Sequence, residues 1–307
     1  MRAIITGATG TIGVALVQKL IEKNCDVLVI ARKGSQRNDN IPKSPLVKFL
    51  YASLDELSKL EPQNTDKYDV FYHLAWDGTV GAERNNLSKQ TDNVGFAIDA
   101  VDLASKFGCD AFIGVGSQAE YGRVDVKLTP TTPTYPENGY GIAKLCAGQM
   151  TALQAKKHEM RHVWVRVLSI YGPYDGMQSL VMSTIGKAIR GEAVLCTKGE
   201  QIWDYLYSSD AAEALYLLGE KQEAKGVYVL GSGESRLLSD YIKDICKIAN
   251  PQAQIDFGAI PYSDNQVMFL TADVTKLKED VNWSPATDFS DGIRKTVDYL
   301  IERKNKQ

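Results

Sequence analysis

The chain has 307 residues, 44% of them hydrophobic and 24% charged, with a formal net charge of −3. That length suits one large domain with a smaller one built onto it, and the faintly acidic balance gives no field for nucleic acid or an anionic membrane surface. Five scattered cysteines never form a C-x-x-C pair, which excludes a disulfide framework and a thiolate zinc site.

A reducing, cytoplasmic setting with no metal is therefore expected. The N-terminus has one basic residue and an early glycine turn, and no apolar run approaches 18 residues, so neither a signal peptide nor a membrane span is predicted.

In chain order, β-branched apolar runs predict strands at 3–6, 27–31, 47–51, 70–74, 111–115 and 163–168. Apolar spacings of three and four predict helices at 12–23, about 92–107 and about 141–158. This alternation predicts an α/β fold, a doubly wound parallel sheet of Rossmann type.

The first strand runs straight into TGATGTIG, which places Gly7, Gly10 and Gly13 at G-x-x-G-x-x-G spacing where a helix begins. Such glycines permit a tight turn, close backbone approach to a phosphate and helix-on-strand packing, with the helix N-terminus facing the anion. The second strand ends as VLVIARKGSQR. An acid at that end would hold a ribose 2′-hydroxyl, whereas Ala31 is followed here by Arg32, Lys33, Ser35 and Arg37, groups able to bind a 2′-phosphate. A solvated basic loop is the alternative.

VFYHLAW at 70–76 is the next strand; His73 reads as structural, and Trp76 as either pocket lining or core. Ser117 stands just past the strand at 111–115, on the carboxyl edge of the sheet where ligands bind in such folds. PTTPTYPENG is a Pro-rich loop leading into YGIAK, which sets Tyr140 and Lys144 four apart on one helix face. An ammonium beside a phenol favours the phenolate, so Tyr140 is equipped to exchange a proton with a substrate oxygen. His158 and His162 read as surface residues.

After Ile170 the turn cluster YGPYDG opens a second module. Strands are expected at 205–207 and 227–230 and helices at 238–249 and 290–303. The division is 1–172 for the dinucleotide-binding domain, with a return segment near 205–230, and 173–307 mainly for substrate. Irregular loops at 77–90, 174–190 and 258–268 are expected to set specificity.

Taken together, TGATGTIG, YDVFYHLAW, Asn93-Val94, SQAEYG, YGIAK, RVLSIYGP, GEQIWDYLYSSDAAEA, VYVLGSGES and ADVTKL…NWSP resemble the extended short-chain dehydrogenase/reductases of the nucleotide-sugar epimerase, dehydratase and reductase group. The resemblance covers nearly the whole chain. It implies a nicotinamide cofactor on the first domain and a nucleoside-diphosphate sugar on a smaller C-terminal α/β domain. Ser117, Tyr140 and Lys144 would be catalytic. Gly7, Thr9, Gly10, Thr11, Ile12, Gly13, Arg32, Ser35, Arg37, Leu74, Ala75 and Asn93 would hold the cofactor with Tyr140 and Lys144, Asn93 by tying strand ends together. Trp76, Ser117, Gln118, Tyr171, Trp203 and Arg236 would meet the substrate, and the helices at 92–107 and 141–158 would pair two copies as a homodimer.

Three departures narrow the reading. Gln118 and Ala119 replace the Asp-Glu pair of the dehydratases, Trp203-Asp204 replaces a frequent Arg-Asp, for which Arg236 is a candidate substitute, and Ser53-Leu54 replaces an Asp at the adenine. The basic loop favours NADP over NAD. The leading expectation is an NADPH-dependent 4-keto reductase of a nucleotide-linked deoxysugar. The alternatives are an NAD-dependent 4-epimerase and a non-catalytic dinucleotide sensor.

Overall fold

The inner apolar runs form a sheet because they are buried on both faces, which is why they read as continuous rather than alternating, while the run at 47–51 is an edge strand with Phe49 and Tyr51 exposed. A computed structural model describes residues 1–62 and 67–305. The elements are β1 (Arg2–Thr6), α1 (Thr11–Glu22), β2 (Asp26–Ala31), β3 (Val47–Tyr51), β4 (Val70–His73), α2 (Leu87–Lys106), β5 (Ala111–Ser117), α3 (Gly139–Lys157), β6 (Arg161–Val167) and β7 (Ser169–Tyr171). They continue with α4 (Leu180–Arg190), β8 (Val194–Cys196), β9 (Ile202–Trp203), β10 (Tyr205–Tyr207), α5 (Ser208–Glu220), β11 (Gly226–Leu230), β12 (Arg236–Leu237), α6 (Leu238–Ala249), β13 (Ile255–Phe257), α7 (Thr275–Val281) and α8 (Phe289–Asn305).

Seven strands join in the order β3-β2-β1-β4-β5-β6-β11, and every neighbouring pair is parallel. Ile4, Leu28, Ile30, Phe71 and Phe112 face Ala100, Val101 and Ala104 of α2, while Ile5, Val29 and Tyr72 share the opposite face with Leu16 of α1 and Leu215 of α5. The sheet is thus covered on both sides, with the order reversing between β1 and β4. Ligands bind in the crevice at such a switch point.

Gly114 and Gly116 sit inside β5, where glycine ordinarily weakens a strand. A Cβ at either would run into the indole of Trp164 on β6. The pair makes room for a large buried side chain. His162, expected at the surface, is instead stacked between Phe112 and Trp164 and bonded to Thr151 at 2.9 Å. Burial pushes its imidazole down to about 4.

Two segments are more regular than expected. Helix α2 begins at Leu87 because Asn86 caps it, accepting from the Lys89 N–H at 3.3 Å. Residues 180–190, expected as loop, form α4 between a Ser179 cap and Gly191, whose φ of +71° ends it in the left-handed conformation.

Beyond Tyr171 the chain builds smaller elements. Helices α4 and α6 pack together, α6 also meets α8, and Val181, Ile185, Tyr207, Ile245 and Ile293 form their common core. The stretch is not separate from the sheet, since β11 returns to its edge beside β6 and α5 packs on α1. Asp204, fully buried, fixes the junction. Its carboxylate accepts from Ser232 N–H and Oγ–H (both 2.7 Å) and from the N–H groups of Gly233 and Ala272 (both 3.1 Å). No helix among the described residues is long and apolar enough to cross a membrane.

Candidate active site

The turn after β1 is shaped by what cannot fit there. Gly7 has φ +75°, and a Cβ would lie 2.5 Å from the Ala75 nitrogen; at Gly13 it would strike the Gly7 carbonyl. Gly10 precedes α1 with no side chain to cap it, and the first turn holds no acid. The first N–H groups of α1 have no helical acceptors, so they are available to an anion.

From this turn a cavity of about 850 Å³ extends over the sheet edge. Thr6–Gly10 and Leu74–Asp77 form its floor, and Arg32, Ser35, Arg37 and Asn38 wall one end. Arg37 reaches the Thr9 carbonyl at 3.4 Å, as does Asn40 at 3.2 Å, so the basic loop is laced to the glycine turn. The buried Oδ1 of Asn38 has no partner among the described residues, an acceptor left open on that wall. Asp55, beside Ser53 and Leu54, also lines the cavity. A glycine cradle, bare helix N-terminus, basic wall and orphaned acceptor together fit a dinucleotide. Thr11 and Ile12 open α1 without lining the cavity, and Asn93 does not line it either. Asn93 bonds the backbone of Asp77 in both directions at 2.9 Å and so ties the segment after β4 to α2, rather than tying strand ends together.

Ser117, Tyr140 and Lys144 converge where β5 ends and α3 begins. Asn138 caps α3 through the Gly141 N–H at 2.9 Å, so Tyr140 sits in the first turn, with Ser117 against its phenol. Burial pushes the phenol above its ordinary value and the nearby Glu120 adds to this, while Ser117 and the Arg84 guanidinium pull it down. Lys144 lies one turn on. Its ammonium donates to the Val115 carbonyl at 2.7 Å and rests 3.8 Å above the Trp76 ring. Burial pushes it down to about 7 against the opposing field of Glu120. The group therefore holds a proton donor, a hydroxyl and an easily neutralised cation around one point, which is the equipment for acid–base chemistry at a substrate oxygen.

Glu120 is a functional support the motif did not point to. It is fully buried and accepts from the Ser117 N–H (2.8 Å), the Trp164 indole (3.0 Å) and the Arg166 guanidinium (2.6 Å). The signal was present, since Ser117-x-x-Glu120 is a capping box.

The expected substrate residues are only partly brought together. Trp76 covers Lys144 with its indole N–H on Gln90 at 2.8 Å, and Gln118 follows Ser117 in a half-buried turn. Trp203 and Arg236 are direct partners across β9 and β12, with Arg236 paired to Asp244 at 2.8 Å and stacked over Tyr241 at 4.1 Å. Tyr171 does not belong with them. It is 1% exposed, packed on Tyr205, Tyr207 and Phe289, and its hydroxyl donates to the Phe289 carbonyl at 3.1 Å, so it is core.

Residues 3–231 match the model of the NAD dependent epimerase/dehydratase family. The chain is 29% identical to the trifunctional UDP-glucose 4,6-dehydratase/UDP-4-keto-6-deoxy-D-glucose 3,5-epimerase/UDP-4-keto-L-rhamnose-reductase of Arabidopsis thaliana, over 97% of this chain and 47% of that one, so it spans about half of that relative's length. It is 28% identical to CDP-abequose synthase of Salmonella typhimurium over 97% of both chains. The fold is shared with UDP-glucuronic acid 4-epimerase from Bacillus cereus, solved with UDP-glucuronic acid and NAD, at TM-score 0.86 and 22% identity over 99% of this chain and 100% of that one.

Proposed function

The chain belongs to the NAD dependent epimerase/dehydratase family, and from that premise we propose that it is an NADPH-dependent reductase of a nucleoside-diphosphate-linked keto-deoxysugar, acting at the 4-keto group. The observation that carries the choice is the cavity wall after β2, where Arg32, Ser35 and Arg37 converge and β2 ends without a carboxylate. Two or three charge-assisted contacts to a 2′-phosphate suit a cofactor drawn from a reducing pool and released after each turnover. Gln118 and Ala119 beside Ser117 supply neither acid nor base for eliminating water. The names of the two relatives, a synthase of a CDP-linked sugar and an enzyme that includes a 4-keto-sugar reductase, support the same direction.

When bound, the nicotinamide supplies the hydride chemistry. The chain's own residues do the rest. Ser117 holds the carbonyl oxygen, and Tyr140 gives it the phenolic proton as the carbon is reduced. Lys144 orients the ribose. Arg236, next to Trp203, meets the diphosphate. Purified protein given NADPH and an enzymatically made 4-keto sugar nucleotide should oxidise the cofactor; no oxidation across several such sugars overturns the reading.

The second reading is a 4-epimerase with retained NAD, favoured by the fold it shares with the Bacillus cereus enzyme solved with NAD. Cofactor released on denaturation separates the two, since stoichiometric NAD belongs to the epimerase. A dinucleotide sensor is the outcome if Tyr140→Phe keeps full biological activity. We further propose a homodimer through α2 and α3, because Ile142, Met150 and Leu153 leave an exposed apolar stripe on α3; a monomeric mass by light scattering contradicts it. Five free cysteines suit a cytoplasmic location.

A further inference from the structure

In a Tyr-x-x-x-Lys pair the lysine is the cation expected to stabilise the phenolate. Here Lys144 is engaged elsewhere, on the Val115 carbonyl and the Trp76 face, with its ammonium 5.9 Å from the centre of the Tyr140 ring. The cation nearest that ring comes from outside α3. Arg84 lies in the turn Gly81–Asn85, and its guanidinium carbon stands 4.5 Å over the phenol. Unlike a buried lysine, an arginine keeps its charge at every working pH.

The placement is built rather than incidental. The Asn85 side chain accepts from the Gly139 N–H at 2.9 Å, which fastens the turn to the residue preceding Tyr140. Gly139 permits this, because a Cβ there would lie 3.0 Å from the Arg84 carbonyl. On the other side the buried Gln90 amide donates to the carbonyls of Gly78 (2.8 Å) and Glu83 (2.9 Å), while accepting from the Trp76 indole. Arg84 itself reaches the Thr79 carbonyl at 3.4 Å. Gln90 thus couples two covers, Trp76 on Lys144 and Arg84 on Tyr140.

We propose that Arg84 is a positioning residue for the reaction at Tyr140, holding a permanent positive charge over the phenol so that the tyrosinate form is stabilised while Lys144 is left to the cofactor. This rests on the reading of Tyr140 as the proton donor. The other groups facing the phenol are Ser117 from β5, Glu120 from the turn that follows it and Lys144 from α3. Burial and then Glu120, itself held by Arg166, oppose the tyrosinate, while the Ser117 hydroxyl and then Arg84 favour it, so Arg84 is the one cation among these opposing influences. An opposite charge at this range moves a titration by about one to three units.

The test reads the phenol directly in the ligand-free protein. With difluorotyrosine at position 140, whose lower intrinsic pKa brings the titration into a range the fold withstands, the fluorine shift is followed against pH. Arg84→Gln should raise the midpoint by about one unit, and Arg84→Lys should recover part of it. Asn85→Ala, which keeps the charge but unfastens the turn, should fall between wild type and Arg84→Gln. The alkaline midpoint of the kcat/KM profile should move with the phenol. An unchanged midpoint in Arg84→Gln overturns the proposal, as does an Arg84→Lys shift equal to that of Arg84→Gln. Loss of the reductase reading would appear separately, as undiminished turnover in Tyr140→Phe.

Discussion

Replacing Glu120 by glutamine tests whether the corner where Ser117 meets Tyr140 is held by one carboxylate. The perturbation keeps the side chain's volume and removes its charge. Glu120 is 0% exposed and its partner Arg166 has a side chain 7% exposed, so the guanidinium left behind has no solvent to turn to. Breaking a buried pair from one side costs about 3–5 kcal/mol. The Ser117 N–H and Trp164 indole N–H share one carboxylate oxygen, which an amide oxygen can replace, whereas the amide NH2 would then face the Arg166 guanidinium donor to donor, so an overall loss of about 4 kcal/mol is expected. Urea unfolding followed by tryptophan fluorescence reads it as a fall in midpoint at constant slope. Glu120→Gln with Arg166→Met together should restore most of the loss, because replacing both partners is often near neutral. A single variant within about 1 kcal/mol of wild type, or a double variant no better than the single, refutes the reasoning.

Arg32→Asp together with Arg37→Asp should weaken NADPH binding by at least about tenfold, the loss of one or more charged hydrogen bonds, and spare NADH; titration calorimetry with the two cofactors checks the ratio. Gly7→Ala forces a side chain into a φ of +75° and against the Ala75 nitrogen, so it should cost about 2 kcal/mol or more and abolish dinucleotide binding, read by urea midpoint and calorimetry. Burial holds Lys144 near 7, well below the unfolded value of about 10.4, so the unfolded chain binds more protons between those limits. Stability from this residue is therefore penalised below pH 7 and rises above it, by at most about 1.4 kcal/mol per unit. Lys144→Met should lose that rise; parallel pH profiles for wild type and variant would show that the lysine titrates normally.

The sheet was readable because its inner strands are buried on both faces and so announce themselves as apolar runs, while the exposed edge strand β3 still shows the bulky apolar residues of a strand. The start of α2 was not, since its first turn, LSKQ, is polar and depends on Asn86 for its cap. Helix α4 had its signals, Ser179 before and Gly191 after an apolar face, but they stood beyond a turn cluster that read as irregular. At the site, Ser117, Tyr140 and Lys144 were legible because a strand end and a four-residue helical spacing place them. Glu120 carried a local signal in its capping box with Ser117, but its bonds to Trp164 and Arg166, and the seat of Arg84 over Tyr140, join residues far apart in sequence that only packing brings together. Tyr171 shows the converse: a residue in a recognisable motif whose motif serves the core. The aromatic cluster around it, with Gly292 too close to its hydroxyl for any Cβ, leaves no path to the cleft.

Asp204 carries a consequence for how such a chain can change over generations. Four donors from two distant stretches, 232–233 and 272, meet on that single carboxylate, so the relative placement of those stretches is set at one point and not by the length of chain between them. Segments hung between such fixed points can lengthen, shorten or be rewritten while the frame keeps its alignment. Residues 258–268 lie between the two stretches, so they can be rewritten in this way while the frame that carries the glycine turn stays as it is. Losing the joint would remove that freedom along with the stability.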